Sequence, residues 1–128
     1  MGRVMHFEIH ASEPLAMIDF YSSLLGWKFS QWQDQPYWLV DTGPAGQPGI
    51  NGGLVLRNGA TPSASQSVNA FARTALVDDL DAALARVAGL GGSLALPRMA
   101  VHGVGWLPYV DDPDENILGL MQADTAAA

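Results

Sequence analysis

A single constant offset relates the two halves of this chain. Shifting the sequence by about 66 residues places Leu24 on Leu90, Gly26 on Gly92, and the pair Gly53-Leu54 on Gly119-Leu120. The same shift places Ala16 on Ala82 and Ile18 on Leu84. Small and apolar residues match by chance often enough, but these fall at equivalent points of equivalent elements, so the chain is read as an internal duplication. Its 128 residues suffice for one compact domain that needs no staples to fold.

Each half reads as strand, helix, strand, strand, strand. His6-Phe7-Glu8-Ile9-His10 alternates polar and apolar, the period of a strand with one face on a helix. Ser12 is placed to cap the next helix, with Glu13 and Pro14 in its first turn. Met17, Phe20, Tyr21 and Leu24 then recur at helical spacing up to a left-handed stop at Gly26. Aromatic-rich runs at 27–33 and 37–42, parted by Asp34-Gln35-Pro36, predict a hairpin. Leu54-Val55-Leu56 closes a fourth strand beyond the Pro- and Gly-rich loop 43–49.

In the second half the pattern predicts a strand at 70–76 and a helix over about 79–90, with Leu80, Leu84 and Val87 as its apolar stripe and Gly91-Gly92 as its stop. Strands follow at 93–99, 104–110 and 117–122, the last after a turn at Asp111 to Asn116. The expected fold class is α+β: two tandem βαβββ repeats in a single domain spanning 1–128, at about 5–57 and 69–123, joined by a polar linker at about 58–68. The Ala-rich tail beyond Asp124 is expected to fray.

Composition narrows the partners. Six Lys and Arg against thirteen Asp and Glu give a formal charge of -7, which repels phosphates and excludes a nucleic-acid partner in favour of a neutral or cationic small molecule. Without cysteine there is no disulfide framework, thiolate metal site or cysteine nucleophile. No apolar run reaches the roughly 20 residues of a membrane span and no secretory leader is visible, so a cytoplasmic location with no membrane contact is expected. Neither a phosphate loop, a dinucleotide glycine fingerprint nor a nucleophile elbow is present.

His6, Phe20-Tyr21-Ser22, Leu25-Gly26-Trp27, Val77-Asp78-Asp79-Leu80-Asp81-Ala82-Ala83 and Asp112-Pro113-Asp114-Glu115-Asn116, taken in order and spacing, resemble the glyoxalase, bleomycin-resistance and extradiol-dioxygenase (vicinal oxygen chelate) superfamily. The resemblance runs from about His6 to Gln122 and implies curved mixed sheets. Glu115 stands where the usual turn has glycine, which puts the left-handed geometry of that turn in question. In metal-dependent members, the resemblance implies, four cavity positions hold His, Glu or Gln ligands, one on the first and one on the last strand of each repeat. His6 fits the first; the offset puts Ala72 opposite it, and the end-of-repeat positions fall on Gly53 and Gly119. One imidazole in four places fails the three ligands of a catalytic zinc, so no metal cofactor is expected. Glu8 and His10 share a face with His6, but strand neighbours two apart lie about 6.5 to 7 Å from each other and are not expected to chelate together. A site rebuilt from two of them with a distant partner such as His102 stays open.

Strand alternation assigns His6, Glu8, His10, Asn51, Gly53, Val55, Ala72, Thr74, Gly119 and Met121 to the cavity face, and Phe7, Ile9, Leu118 and Leu120 to the helix side. Arg73 falls on the helix side, explicable by a strand end or by a salt bridge to Asp79 or Asp81. The small residues at the former ligand positions are expected to leave room for a ligand. Trp27, Phe29, Trp32, Tyr37, Trp38, Trp106 and Tyr109 read as core and dimer contacts, with a stacking pocket as the alternative. The ligand-binding candidates are His6, Glu8, His10, Asn51, Thr74, His102, Trp106 and Met121, His102 because its flanking glycines permit movement over a cavity mouth. No catalytic residue is assigned.

Together these features point to a metal-independent small-molecule-binding protein, a homodimer holding its ligand in a cavity lined by both repeats. A divalent-metal lyase, isomerase or dioxygenase with a non-standard ligand set including His6 is one alternative. An interaction module with a vestigial cavity is another. Whether there is catalysis stays open.

Overall fold

The computed structural model describes residues 2–64, 66–67 and 71–128. The chain divides into two compact units, one ending at Thr61 and the other beginning at Pro62. The first comprises β1 (Phe7–Ala11), α1 (Pro14–Leu25), β2 (Lys28–Gln31), β3 (Tyr37–Asp41) and β4 (Gly52–Leu56). Its four-stranded sheet has the order β1-β4-β3-β2, in which only β1 and β4 run parallel. The second comprises β5 (Arg73–Leu76), α2 (Leu80–Val87), a 3-10 turn at Ala88–Leu90, β6 (Ser93–Val101), β7 (Gly105–Asp111) and β8 (Ile117–Ala123). Its sheet repeats the same order, β5-β8-β7-β6, again with one parallel pair. The α+β class with tandem βαβββ repeats is therefore the observed one.

The offset that aligns the sequences also aligns the strand pairing. Glu8 faces Gly53 across β1 and β4, and Thr74 faces Gly119 across β5 and β8. Agreement ends in the middle strands, where Leu39 is the β3 neighbour of Gly53 but Tyr109 is the β7 neighbour of Gly119. The cause is a redistribution of chain. The β6–β7 hairpin is longer and carries register shifts around Leu96, while the β7–β8 connection is the short turn Asp112 to Asn116.

In the first unit Ile9, Ala11, Val40 and Leu54 are buried on the sheet, and Met17, Phe20, Tyr21 and Leu24 on α1. Burying a side chain such as Leu54 contributes roughly 1.5–3 kcal/mol. Trp27 stacks on Tyr21 with ring centroids 5.2 Å apart, and Phe7 lies 5.6 Å from Trp27. In the second unit Leu80, Ala83 and Val87 from α2 are buried, with Val110, Leu118 and Leu120 from the sheet. Asp79 caps α2 by accepting from the Ala82 amide at 3.0 Å, and the Gln122 side chain on β8 accepts from the Leu80 amide at 2.7 Å.

Several expectations are corrected. Ser12 does not cap α1. Pro14 is the first helical residue, so the cap position is Glu13, whose side chain makes no cap bond; Ser12 sits one residue too early and its hydroxyl meets that of Thr61 at 2.6 Å. The expected stop at Gly91-Gly92 does hold: the helix tightens into a 3-10 turn and Gly91, with φ 91°, takes the left-handed conformation. Strand five is shorter than predicted, starting at Arg73, so Ala72 precedes it; Ala70 lies outside the described residues. Arg73 is a strand-end residue donating to the Ile117 carbonyl at 3.0 Å, and Asp81 is paired with Arg98 instead. Glu115 does adopt the left-handed conformation, φ 61°, since Asp112 organises the turn by accepting from the Asp114 and Asn116 amides and the Asn116 side chain. The tail is not frayed. Ala127 is 1 % exposed, its carbonyl accepts from Gly103 at 2.9 Å, and the Asp124 amide donates to the Val104 carbonyl at 2.9 Å. Among the described residues no helix is long and apolar enough to cross a membrane.

Candidate functional site

On β1 the alternation holds: Ile9 and Ala11 are buried while Glu8 and His10 face away from the helix. His6 precedes the strand, and its ring is free to lean towards Glu8. Tyr37 opens β3 and pairs in register with Val55. Its ring nevertheless crosses diagonally to reach residue 53 and strand β1, a span open to long aromatic side chains on a pleated sheet. There its hydroxyl donates to Glu8 Oε2 at 3.0 Å and lies 3.1 Å from His6 Nε2. His6 Nε2 and Glu8 Oε2 are 3.8 Å apart. The three side chains form a connected relay on the outward face of the first sheet. Burial, together with the Glu8 carboxylate it faces, pushes the Tyr37 phenol above its ordinary range, so it keeps its proton and acts as a donor.

The crossing is possible only because residue 53 is glycine. A Cβ there would collide with the hydroxyl and ring of Tyr37. Glycine inside a strand costs about 0.5–1 kcal/mol relative to alanine, and a half-exposed hydrogen bond returns about 0.5–1.5 kcal/mol. The related space at Gly119 is taken as well: a Cβ would meet Thr74 Oγ1 at 2.7 Å and the Leu107 and Tyr109 side chains at 3.1 Å. The expectation that glycines at the former ligand positions leave room for a ligand is thus overturned, because neighbouring side chains fill both places. Tyr37, read from sequence as a core or dimer contact with a stacking pocket as the alternative, is drawn into the hydrogen-bonded group with His6 and Glu8. A glycine within an apolar strand was the available signal, since it marks a close approach.

The inherited ligand set does not fit a divalent metal. Gly53 and Gly119 offer no donor and their side-chain space is occupied, Ala72 lies outside β5, and His6 Nε2 is engaged by Tyr37. Among the described residues no three His, Asp or Glu side chains gather as a metal site. His6 Nε2 and Glu8 Oε2, expected not to chelate together, approach to 3.8 Å, with His6 standing just before the first residue of β1.

The remaining candidates are dispersed. His10 faces outward in register with Val55, and its carbonyl accepts from Arg57 at 2.9 Å. Asn51 does not join the relay; it pins the loop before β4 by accepting from the Thr42 amide at 2.9 Å and the Thr42 hydroxyl at 3.2 Å. In the second unit Thr74 faces Gly119, and Met121 pairs in register with Leu76. Trp106 lies on the alternate side of β7 from Tyr109 and donates its indole N–H to Asp124 at 3.0 Å. His102 is in the turn between β6 and β7, exposed, and the adjacent Gly103 amide donates to the Ala127 carbonyl at 2.9 Å.

Solved structures of similar fold include a glyoxalase/bleomycin resistance protein/dioxygenase domain from Frankia sp. EAN1pec, with TM-score 0.71 and 19% identity over 97% of this chain and 99% of that one. Another is a glyoxalase/bleomycin resistance protein/dioxygenase family enzyme from Burkholderia phytofirmans PsJN, TM-score 0.71, 14% identical over 93% and 97% of the two chains. A third is the genomically encoded fosfomycin resistance protein FosX from Listeria monocytogenes, TM-score 0.70, 13% identical over 97% and 95%. No curated protein matches the chain. The model of the glyoxalase-like domain matches residues 6–121, and with the two βαβββ units above it establishes that this chain belongs to the glyoxalase-like domain family.

Proposed function

We propose that this protein binds a small organic molecule without a divalent metal, against the face of the first sheet that carries His6, Glu8 and Tyr37. The observation that carries the reading is Tyr37 lying over Gly53: the place of an end-of-repeat ligand is held by a phenol that keeps its proton. Half-exposed His6 and Glu8, 47% and 44%, are accessible to a ligand. Proteins named for resistance to bleomycin and fosfomycin share the fold, which supports a small-molecule role. Exposed Leu94, Leu96 and Met99 on the edge strand β6 support the homodimer as part of the same reading.

The test is metal analysis of protein purified without added metal or chelator, followed by a ligand screen by thermal shift. The expected result is well under one zinc, iron, manganese or nickel per chain, and a Tm that rises with an organic ligand. The 3.8 Å approach of His6 and Glu8 favours one second reading, a metal enzyme using that pair. Stoichiometric metal that disappears in His6→Ala would establish it and end the first.

A further inference from the structure

The relay on the first sheet has a direction. Tyr37 carries a single hydroxyl hydrogen and donates it to Glu8 Oε2. Its oxygen can then only accept from His6 Nε2, 3.1 Å away, which makes that nitrogen a donor. Both hydrogens run towards Glu8, and Tyr37 has none left to offer a ligand. What remains is an acceptor. The Glu8 carboxylate is 44% exposed, and among the described residues its one ion-pair partner is His6 at 3.8 Å. Among the described residues no lysine or arginine forms an ion pair with it, and Arg57 donates to the His10 carbonyl. Across the strands Gly53 lies opposite Glu8 with Leu39 beyond, and His10 follows Glu8 on the same face of β1.

Resting on the metal-free reading above, we propose that Glu8, held in place by Tyr37, anchors a cationic or N–H-donating nitrogen of the ligand, an amidinium or ammonium group. An anion or a bare carbonyl meets a carboxylate here and no spare donor on Tyr37. Glu8 is the binding group. Tyr37 is a positioning residue, since it acts by fixing one carboxylate oxygen and leaving the other for the ligand.

The test uses the full chain and three matched probes, benzamidine, benzamide and benzoate, at millimolar concentration, followed by amide resonances. Benzamidine is expected to shift Glu8, Gly53 and Tyr37, to bind about ten-fold more tightly than benzamide, and to lose about ten-fold in Glu8→Gln. Benzoate is expected to leave these resonances unmoved. Tyr37→Phe should weaken benzamidine when Glu8 is present and have no further effect in the Glu8→Gln background, a coupling that a merely structural role would not produce. Unshifted Leu54 and Leu120 resonances verify that the variants fold. Equal binding of benzamidine and benzamide, indifference to Glu8→Gln, or no probe on this face overturns the inference. Stoichiometric metal in the purified protein, with benzamidine still dependent on Glu8, would remove the metal-free reading and leave this one standing. Metal-free protein whose benzamidine binding ignores Glu8 would remove this one alone.

Discussion

The hydroxyl of Tyr37 occupies the space in which a side chain at Gly53 would begin. Two residues on neighbouring strands have thus become mutually dependent, although their backbones are not directly opposite: Gly53 pairs with Leu39, and Tyr37 with Val55.

Gly53→Ala should therefore destabilise the protein by about 1–3 kcal/mol, the range for forcing extra volume into a filled place. Combined with Tyr37→Ala, which empties that place, the same substitution should cost much less than the sum of the two singles. Urea midpoints of the four proteins measure the coupling.

The raised Tyr37 phenol gives a signature in alkali. A folded-state value above the ordinary 10.0 means a contribution to stability that is complete below pH 10.0 and lost as pH rises through the higher folded value. Wild-type protein should lose stability relative to Tyr37→Phe on going from pH 8 to above 10. Denaturant midpoints of both proteins across that range check the sign.

Asp124 should behave in the opposite sense. Hydrogen bonds from the Ala126 amide and the Trp106 indole hold its carboxyl below the ordinary 3.8, so its contribution is present above pH 3.8 and lost as pH falls through the lower folded value. Asp124→Ala should lower the thermal midpoint at neutral pH and change Trp106 fluorescence. The difference from wild type should shrink in strong acid.

Leu54 and Leu120 are related by the repeat offset and both are 0% exposed. Each change to alanine should cost about 2–5 kcal/mol. Markedly unequal costs, read from chemical denaturation, would show that the two units do not bury these positions in the same way.

The sequence revealed most where a residue's role is local. Gly26 ends a helix because only the left-handed region allows the chain to leave it there. The buried faces of β1 and α1 followed from periodicity, and Leu118 and Leu120 on β8 were placed on the helix side by alternation. What escaped depends on geometry between strands. The middle-strand register slips where the β6–β7 hairpin is lengthened, and no offset measured on the outer elements contains that. Tyr37 looked like one more aromatic on a strand, because its contacts with His6, Glu8 and Gly53 come from crossing to a diagonal neighbour. Trp106, read both as a core or dimer contact and as a ligand-binding candidate, gives its indole N–H to Asp124.

Position 74 lies in the second unit where Glu8 lies in the first, facing its own glycine on a parallel neighbour. Duplication has left the chain with two seats of the same backbone geometry. One holds a carboxylate joined to a phenol and an imidazole. The other holds a threonine, with a leucine and a tyrosine crowding the glycine beside it. Each half can therefore change its chemistry at that seat without renegotiating the strand pairing beneath it, so a new polar group could arise in one unit while the other keeps its own.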